Sequence, residues 1–277
     1  MLDFIAVPLG RVLYIIYENI AFESYGLAII IFTVIIKLIL LPLSIKQQRS
    51  MSKIQKIQPK IKEIQEAYKD DKEKLSQEMM KIYKENNANP ASGCLPLVVQ
   101  MPIMISLFII LKRPLTYVIG MSEEYIFELA KKFQLVQEGI GNFSSLISKN
   151  MYAEVEIIKD SGEYLNMEFM KLNLGIQPSL TKLLSEPSTY VPLLILVIIS
   201  VATTYLSSKI SMSKKQNTAG KEEQGGAMAM QKYMIYFGPA MILFFAFRFP
   251  AGLSLYWLIS NLITLVQNWY INKFVKE

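Results

Sequence analysis

Long apolar runs separated by charged segments divide this chain into five candidate membrane-spanning helices. A helix needs about 20 apolar residues to cross the hydrocarbon layer of a bilayer. The five runs cover residues 26–45, 93–113, 190–208, 233–249 and 251–270. Proline and glycine at Pro250 and Gly252 predict a tight hairpin turn between the last two runs. The pattern therefore predicts an all-α integral membrane protein.

Residues 1–25 carry an amphipathic helical pattern instead of a continuous apolar run. The apolar positions recur at spacings of three and four: Leu2, Ile5, Leu9, Val12, Ile16 and Ile20. Asp3, Pro8, Arg11 and Glu18 interrupt the run, which makes a further span the less favoured alternative. The pattern predicts a helix that lies in the membrane interface.

Residues 46–92 have the pattern of two charged amphipathic helices. The apolar positions are Ile54, Ile57, Ile61, Ile64 and Tyr68, followed after Asp70-Asp71 by Leu75, Met79 and Ile82. This spacing predicts an antiparallel helical hairpin in which Pro59 breaks the first helix or starts its second part. The alternative is a purely solvated, charged surface. In either case the isoleucine positions have to pack on each other or on a partner.

The remaining segments are polar. Residues 114–189 predict an external loop with short helices near 122–135 and a small strand-like patch near 155–158. Residues 209–232 predict a second cytoplasmic loop, flexible over 214–229 because of its glycine and small polar residues. Residues 271–277 form a predicted cytoplasmic tail.

The distribution of charge predicts the orientation. The chain carries a net charge of +6, with 11 Lys and Arg against 7 Asp and Glu in residues 46–92 and 5 against 2 in residues 209–232. Residues 114–189 are acidic, with 6 against 10. Cytoplasmic loops of membrane proteins are enriched in Lys and Arg. We therefore expect the N-terminus outside and the C-terminus in the cytoplasm.

Composition excludes several kinds of chemistry. The chain has no histidine and one cysteine, Cys94, so it has no Cys/His metal site, histidine acid–base pair or disulfide framework. No Ser/His or Cys/His catalytic arrangement is possible either. We expect no cofactor and no enzymatic activity.

Lys37 is the most informative residue. Ten apolar residues precede it and four follow it within the first run. A cation at the middle of a membrane costs about 2.5–3.5 kcal/mol on insertion scales, so it rarely faces lipid. The alternative is a lysine near a helix end whose side chain reaches the interface. The position predicts a polar cavity inside a helical bundle.

Further polar residues form stripes on other runs. They include Ser200, Thr203, Thr204, Ser207 and Ser208 in the third run, and Ser254, Trp257, Asn261, Thr264 and Asn268 in the fifth. Serine and threonine often serve only as packing contacts between membrane helices. The apolar cores contain no Asp or Glu, so Lys37 has no counter-ion there. The stripes together predict a hydrophilic groove lined by Thr33, Lys37, Gln100, Thr203, Ser207, Trp257 and Asn261.

Three stretches resemble the YidC/Oxa/Alb membrane protein insertases in their Gram-positive five-span form. They are Ile36–Ser50 with the charged hairpin behind it, Asn89-Pro90 with Gly93–Ile103, and Phe249–Asn261. Their order and separation make the resemblance specific.

The resemblance implies an insertase that helps nascent membrane proteins to insert and fold without nucleotide hydrolysis. It implies a groove open to the cytoplasm and to lipid but closed on the outside, with Lys37 pointing into it. It also implies a bacterial plasma-membrane location. The basic excess of the hairpin suits contact with the ribosome, Sec translocon components or anionic lipid headgroups. We expect no DNA partner.

The chain departs from the family pattern in several places. Lys37 stands where bacterial relatives commonly have arginine, and Ser207 and Ser208 stand where they often have glutamine. The external loop is long, and the acylated N-terminal cysteine is absent. Two other functions stay open: a small transporter or channel, against which the missing internal repeats and acidic residues speak, and a scaffold, which leaves Lys37 unexplained.

Overall fold

The computed structural model describes residues 3–89, 95–213 and 226–274, and most of them are helical. Cys94 and residues 214–225 lie outside the described residues. The helices are α1 Asp3–Asn19, α2 Tyr25–Ile39, α3 Leu41–Ala67, α4 Lys72–Glu85, α5 Leu95–Lys112, α6 Glu123–Lys132, α7 Phe143–Lys149, α8 Ala153–Ser161, α9 Pro187–Ser213, α10 Gly226–Ala246 and α11 Ala251–Phe274. A π-helix, Leu115–Ile119, follows α5, and strands β1 Glu168–Phe169 and β2 Leu172–Asn173 pair antiparallel.

Helix α11 lies at the centre of the apolar helices. It packs against α9, α2 and α5, while α10 packs mainly against α9. Its core side chains are among the most buried in the protein, including Leu253, Leu255 and Tyr256. Because α11 lies between α2, α5 and α9, its polar side chains can bond to all three of these neighbours.

Length and hydropathy identify fewer spanning helices than the sequence predicts. In the described residues one helix, Pro187–Ile210, is by itself long and apolar enough to cross a membrane. A second candidate is the bent pair Tyr25–Ile39 and Leu41–Ile54. The apolar helices Val98–Lys112 and Tyr236–Ala246 are shorter. The count of five spans therefore stays a prediction.

The first predicted span is two helices and not one. Helix α2 ends at Leu40 and α3 continues at an angle of 56°. Pro42 lies in the first turn of α3 and has no N–H to donate, so the α2 hydrogen-bond ladder cannot continue through it.

Helices α3 and α4 form a hairpin that packs on itself. Ile57 and Ile61 of α3 are buried, and Met79 and Ile82 of α4 pack against them. The predicted break at Pro59 is wrong, because α3 runs uninterrupted through this residue. An interior proline removes a single hydrogen bond, and the packing of Ile57 and Ile61 on either side keeps the helix intact.

Residues 114–189, the predicted external segment, are folded against the apolar helices. The expected helix near 122–135 is α6, capped by Ser122, whose side chain accepts a hydrogen bond from the Tyr125 N–H. The strand-like patch at 155–158 was wrong, because these residues belong to α8. Val155, Ile157 and Ile158 are buried there, and tertiary packing overrides the strand preference of β-branched residues.

Helix α1 packs against α2, α5 and the π-helix. Its buried face is formed by Ala6, Leu13, Ile16 and Tyr17. A side chain at Gly10 would come within 2.2 Å of the Tyr117 carbonyl oxygen. The opposite face exposes Phe4 and Ile15, as a helix at a membrane interface would. That placement in the interface stays a prediction.

Candidate functional site

The polar face of α11 meets Lys37 of α2. The Lys37 Nζ atom donates a hydrogen bond to Thr264 Oγ1 at 3.1 Å, and Gln267 Nε2 donates to the Lys37 carbonyl oxygen at 3.1 Å. Thr264 donates its own proton to the Ser260 carbonyl, so its oxygen is free to accept from the lysine. Lys37 therefore lies at the contact between two helices, where its ammonium group is half-buried.

The Lys37 cation has a hydroxyl partner and no carboxylate partner among residues 3–89, 95–213 and 226–274. An ammonium group carries three donors. One is occupied by Thr264, so the others can serve an acceptor that is not part of the described chain. In the described residues Lys37 is therefore not part of a closed ion pair.

A second polar contact joins α5 to α11. Gln100 Nε2 donates to the Tyr256 hydroxyl at 2.5 Å. Tyr256 is 1% exposed, so its aromatic ring is part of the core while its hydroxyl takes part in the polar face. The two helices are therefore connected by a hydrogen bond inside an apolar environment.

A third set of polar contacts joins α9 to α11. Asn261 Nδ2 donates to Thr204 Oγ1 at 2.5 Å, and Ser207 Oγ donates to the Asn261 carbonyl at 3.4 Å. Closer to the start of α11, Ser200 Oγ donates to the Ser254 carbonyl at 2.9 Å. The side-chain N–H and the backbone carbonyl of Asn261 therefore both connect α11 to α9.

Three of the predicted groove residues do not join these contacts. Thr33 is fully buried and donates to the Ile29 carbonyl of its own helix at 2.6 Å. Thr203 donates to the Ile199 carbonyl, also within its own helix. Trp257 is buried in the hydrophobic core. The Thr33 and Thr203 hydroxyls donate to the preceding turn of their own helices, as Thr264 does, but in the described residues neither accepts from a side chain of another helix.

The contacts bring together Lys37, Gln100, Ser207 and Asn261 on α11 or against it. Thr204 and Thr264 belong to the polar stripes of the sequence but were not chosen as site residues. Gln267 and Tyr256 were missed. Gln267 lies three residues after Thr264, and this helical spacing could have identified it. Tyr256 is surrounded by apolar residues and gave no such signal.

The described residues contain no group of three or more His, Cys, Asp or Glu side chains that could hold a metal ion. The polar face instead consists of one cation, amides and hydroxyls. Such groups can bind and orient polar segments of another molecule.

Comparison with known proteins identifies the family. Residues 15–277 match the family model described as the 60Kd inner membrane protein. The chain belongs to this family. The match covers all the helices that form the polar face, and it confirms the resemblance inferred from the three sequence stretches.

The chain is also similar to individual bacterial proteins, and three of them illustrate the sequence identity and coverage. The membrane protein insertase YidC of Clostridium perfringens is 35% identical over 248 residues, which are 90% of this chain and 78% of the relative. The membrane protein insertase YidC 1 of Listeria monocytogenes is 34% identical over 258 residues, 92% and 66% respectively. The membrane protein insertase YidC 2 of Bacillus anthracis is 31% identical over 273 residues, 97% and 80%. The chain thus spans between two thirds and four fifths of the length of these bacterial relatives.

Proposed function

We propose that the protein is a membrane protein insertase that receives polar segments of nascent membrane proteins on the face around Lys37 and α11. The observation that carries this proposal is the Lys37 ammonium, held between α2 and α11 by Thr264 with no carboxylate beside it in the described residues. The names of the relatives, each a membrane protein insertase, support the same function.

The physical basis of insertion is a shorter polar path. A backbone or side-chain polar group in hydrocarbon without a hydrogen-bond partner costs several kcal/mol. A hydrophilic groove that reaches part of the way into the membrane offers water, hydroxyls and amides along that path. The barrier for translocating a short polar segment then falls without nucleotide hydrolysis, while the apolar segment moves directly into lipid.

The proposed arrangement has five spans around this groove, corresponding to 26–45, 93–113, 190–208, 233–249 and 251–270. The N-terminus is outside and the C-terminus is cytoplasmic, in the plasma membrane of a bacterium. The positive excess in residues 46–92 and 209–232 supports this orientation. The polar residues of α11 lower its mean hydropathy, which explains why length and composition alone do not identify it as a span.

The hairpin is the proposed docking element for partners. Its first helix presents a basic face, defined as Lys46, Arg49, Lys53, Lys56 and Lys60. These residues recur at spacings of three and four and are all exposed. Such a face suits ribosomal RNA, Sec translocon components and anionic lipid headgroups. Lys53→Gln together with Lys56→Gln should weaken binding to ribosomes, and the loss should diminish at high salt.

The test of the proposed function is reconstitution. The purified protein in lipid vesicles should insert a short single-span client whose translocated segment becomes protected from added protease. Vesicles without the protein provide the background, and nucleotide is left out. Equal protection with and without the protein would contradict the proposal.

A further inference from the structure

The outer segment between α8 and α9 makes direct backbone contacts with the first turns of two apolar helices. The N–H groups at the start of an α-helix have no partner within the helix. Here Tyr25 N–H of α2 donates to the Asn166 carbonyl at 3.1 Å. At α11, Ala251 N–H donates to the Ile176 carbonyl and Gly252 N–H to the Leu174 carbonyl, both at 2.9 Å. One short segment therefore accepts hydrogen bonds from both helix starts.

This segment, residues 166–176, is itself well fixed, and we call it the outer clasp. Strands β1 and β2 pair Glu168 with Asn173 and Phe169 with Leu172. Met170 and Lys171 have φ values of 51° and 66°, the left-handed conformation of a two-residue hairpin turn. The Leu174 side chain is 1% exposed, and its N–H donates to the Met167 carbonyl.

A glycine in α2 provides the space in which the clasp sits. A Cβ atom at Gly26 would lie 2.3 Å from Cγ of the Phe169 ring, so the ring packs directly on the helix backbone. Space at Gly252 of α11 is less restricted, because the nearest atom to a Cβ there would be Leu111 Cδ2 at 3.3 Å, with the Leu174 carbonyl oxygen at 3.5 Å. The clasp therefore depends most sharply on Gly26 and Phe169.

The same two helices carry the candidate site further along. Lys37 follows Gly26 by eleven residues, and Thr264 follows Gly252 by twelve, so the site lies roughly 16–18 Å from the clasp along each helix at 1.5 Å per residue. A clamp at one end of a helix pair restricts how far the pair can separate there. It leaves the other end, where Lys37 lies, less restricted.

We propose that the outer clasp holds the outer ends of α2 and α11 together and thereby closes the polar face toward the outside. This inference rests on the proposed function, because it assumes that the face around Lys37 is a groove entered from the cytoplasm. It assigns a role to part of the long external segment, namely positioning two helices through carbonyl groups and Phe169.

The experiment measures access to the polar face from the outside. A reporter cysteine replaces Ser260, a buried residue of α11 whose carbonyl bonds to Thr264, in a Cys94→Ser background. Right-side-out vesicles receive a membrane-impermeant maleimide. Gly26→Val should raise the rate of reporter labelling about tenfold, as one overpacked side chain shifts the population of separated helix ends.

A second variant keeps the test valid if Gly26→Val folds poorly. Phe169→Ala removes the ring without adding bulk, and it should raise labelling by a smaller factor. In the double variant Gly26→Val with Phe169→Ala the Cβ of residue 169 remains, 2.5 Å from a Cβ at position 26, so the labelling rate should stay above that of Phe169→Ala alone.

Two controls complete the experiment. Gly141→Val is a matched control, since a Cβ there meets no atom within 4 Å, and it should leave the labelling rate unchanged. A cysteine at exposed Ser144 should react equally in every variant. Reporter labelling at the parent rate in Gly26→Val and Phe169→Ala, with normal labelling at position 144, would overturn the clasp. Failure of the parent protein to insert a client would overturn the proposed function, which is read out by insertion and not by labelling.

Discussion

Two cations at the apolar helices, Arg113 and Lys37, have different kinds of partner. Arg113, just after α5, lies against Glu154 of α8, with Nε to Oε1 at 3.3 Å, and against Glu123 at 3.5 Å. Its guanidinium also lies 4.8 Å from the centre of the Phe143 ring, a favourable cation–π contact. Lys37 on α2 has only the Thr264 hydroxyl. The Arg113 charge is compensated within the protein, whereas in the described residues the Lys37 charge has no carboxylate beside it.

The difference separates a structural charge from one available for binding. The Glu154 side chain is 0% exposed, and it also accepts hydrogen bonds from the N–H and hydroxyl of Thr116 at 2.9 and 2.6 Å. These bonds fix α8 against Arg113 and the π-helix that follows α5. Lys37 keeps donors that can serve an anionic or polar segment from another molecule. The comparison predicts that mutations at Arg113 affect folding and mutations at Lys37 affect insertion.

The largest expected effect is on the free energy of unfolding, through the Arg113–Glu154 ion pair. Arg113→Met leaves the Glu154 carboxylate buried without its cation, and loss of one partner of such a pair costs about 3–5 kcal/mol. Unfolding of the purified protein in detergent measures the change. Glu123→Gln is the matched control, because the Glu123 side chain is 60% exposed and its ion pair contributes little. Equal stability of Arg113→Met and the parent would show that the pair is not structural.

The same variant should change the pH dependence of stability. Burial raises the pKa of the Glu154 carboxyl, and hydrogen bonds from Thr116 together with Arg113 oppose that rise. A raised pKa means that the folded protein binds more protons than the unfolded chain, so stability falls as the pH rises through the folded pKa. Without Arg113 the pKa rises further. The stability lost in Arg113→Met should therefore be partly restored as the pH is lowered from 7 toward roughly 4, the ordinary range of a glutamate.

Stability curves at several pH values, with Glu154→Gln added to Arg113→Met, provide the check. The double variant carries no ionisable group at position 154, so it should lose this pH dependence. A pH dependence that persisted in the double variant would assign the effect to another group.

A smaller effect is expected at the single partner of Lys37. Thr264→Val keeps the shape of the side chain but removes the hydroxyl, and a typical hydrogen bond contributes about 1 kcal/mol. The ammonium loses its fixed position, so insertion should fall about fivefold. Thr203→Val is the matched control, since Thr203 bonds only to its own helix, and it should insert clients at the parent rate. Equal losses of insertion in both variants would contradict the specific role of the Thr264 hydroxyl in holding Lys37.

Much of the fold was predictable because local patterns determine it. The isoleucines of the hairpin pack as their spacing predicts, and Ser122 caps α6. The bend at Leu40 and the helical state of 155–158 were not predicted. Both depend on tertiary context: Pro42 can begin a helix or interrupt one, and a β-branched run can be buried in either secondary structure.

The candidate site was predictable in its central residue and less so in its partners. Lys37 stood out because a cation in an apolar run is costly. Spacing along one helix cannot reveal whether a hydroxyl only donates to its own helix, as in Thr33, or also accepts from a side chain of another helix, as in Thr264. Pairings such as Gln267 with the Lys37 carbonyl join residues 230 positions apart and arise only from packing.

The central claim, that the Lys37 charge acts on clients, is tested most directly by paired clients that differ only in Asp against Asn in the translocated segment. Opposite charges attract more strongly in a partly dry groove than in bulk water. Lys37→Arg should insert both clients as the parent does, because it keeps the cation. Lys37→Ala should reduce insertion of the Asp client selectively, and Lys37→Glu should reduce it further through repulsion. If the Ala and Glu variants inserted both clients with the parent's yield, Lys37 would be a structural residue and the account would be wrong.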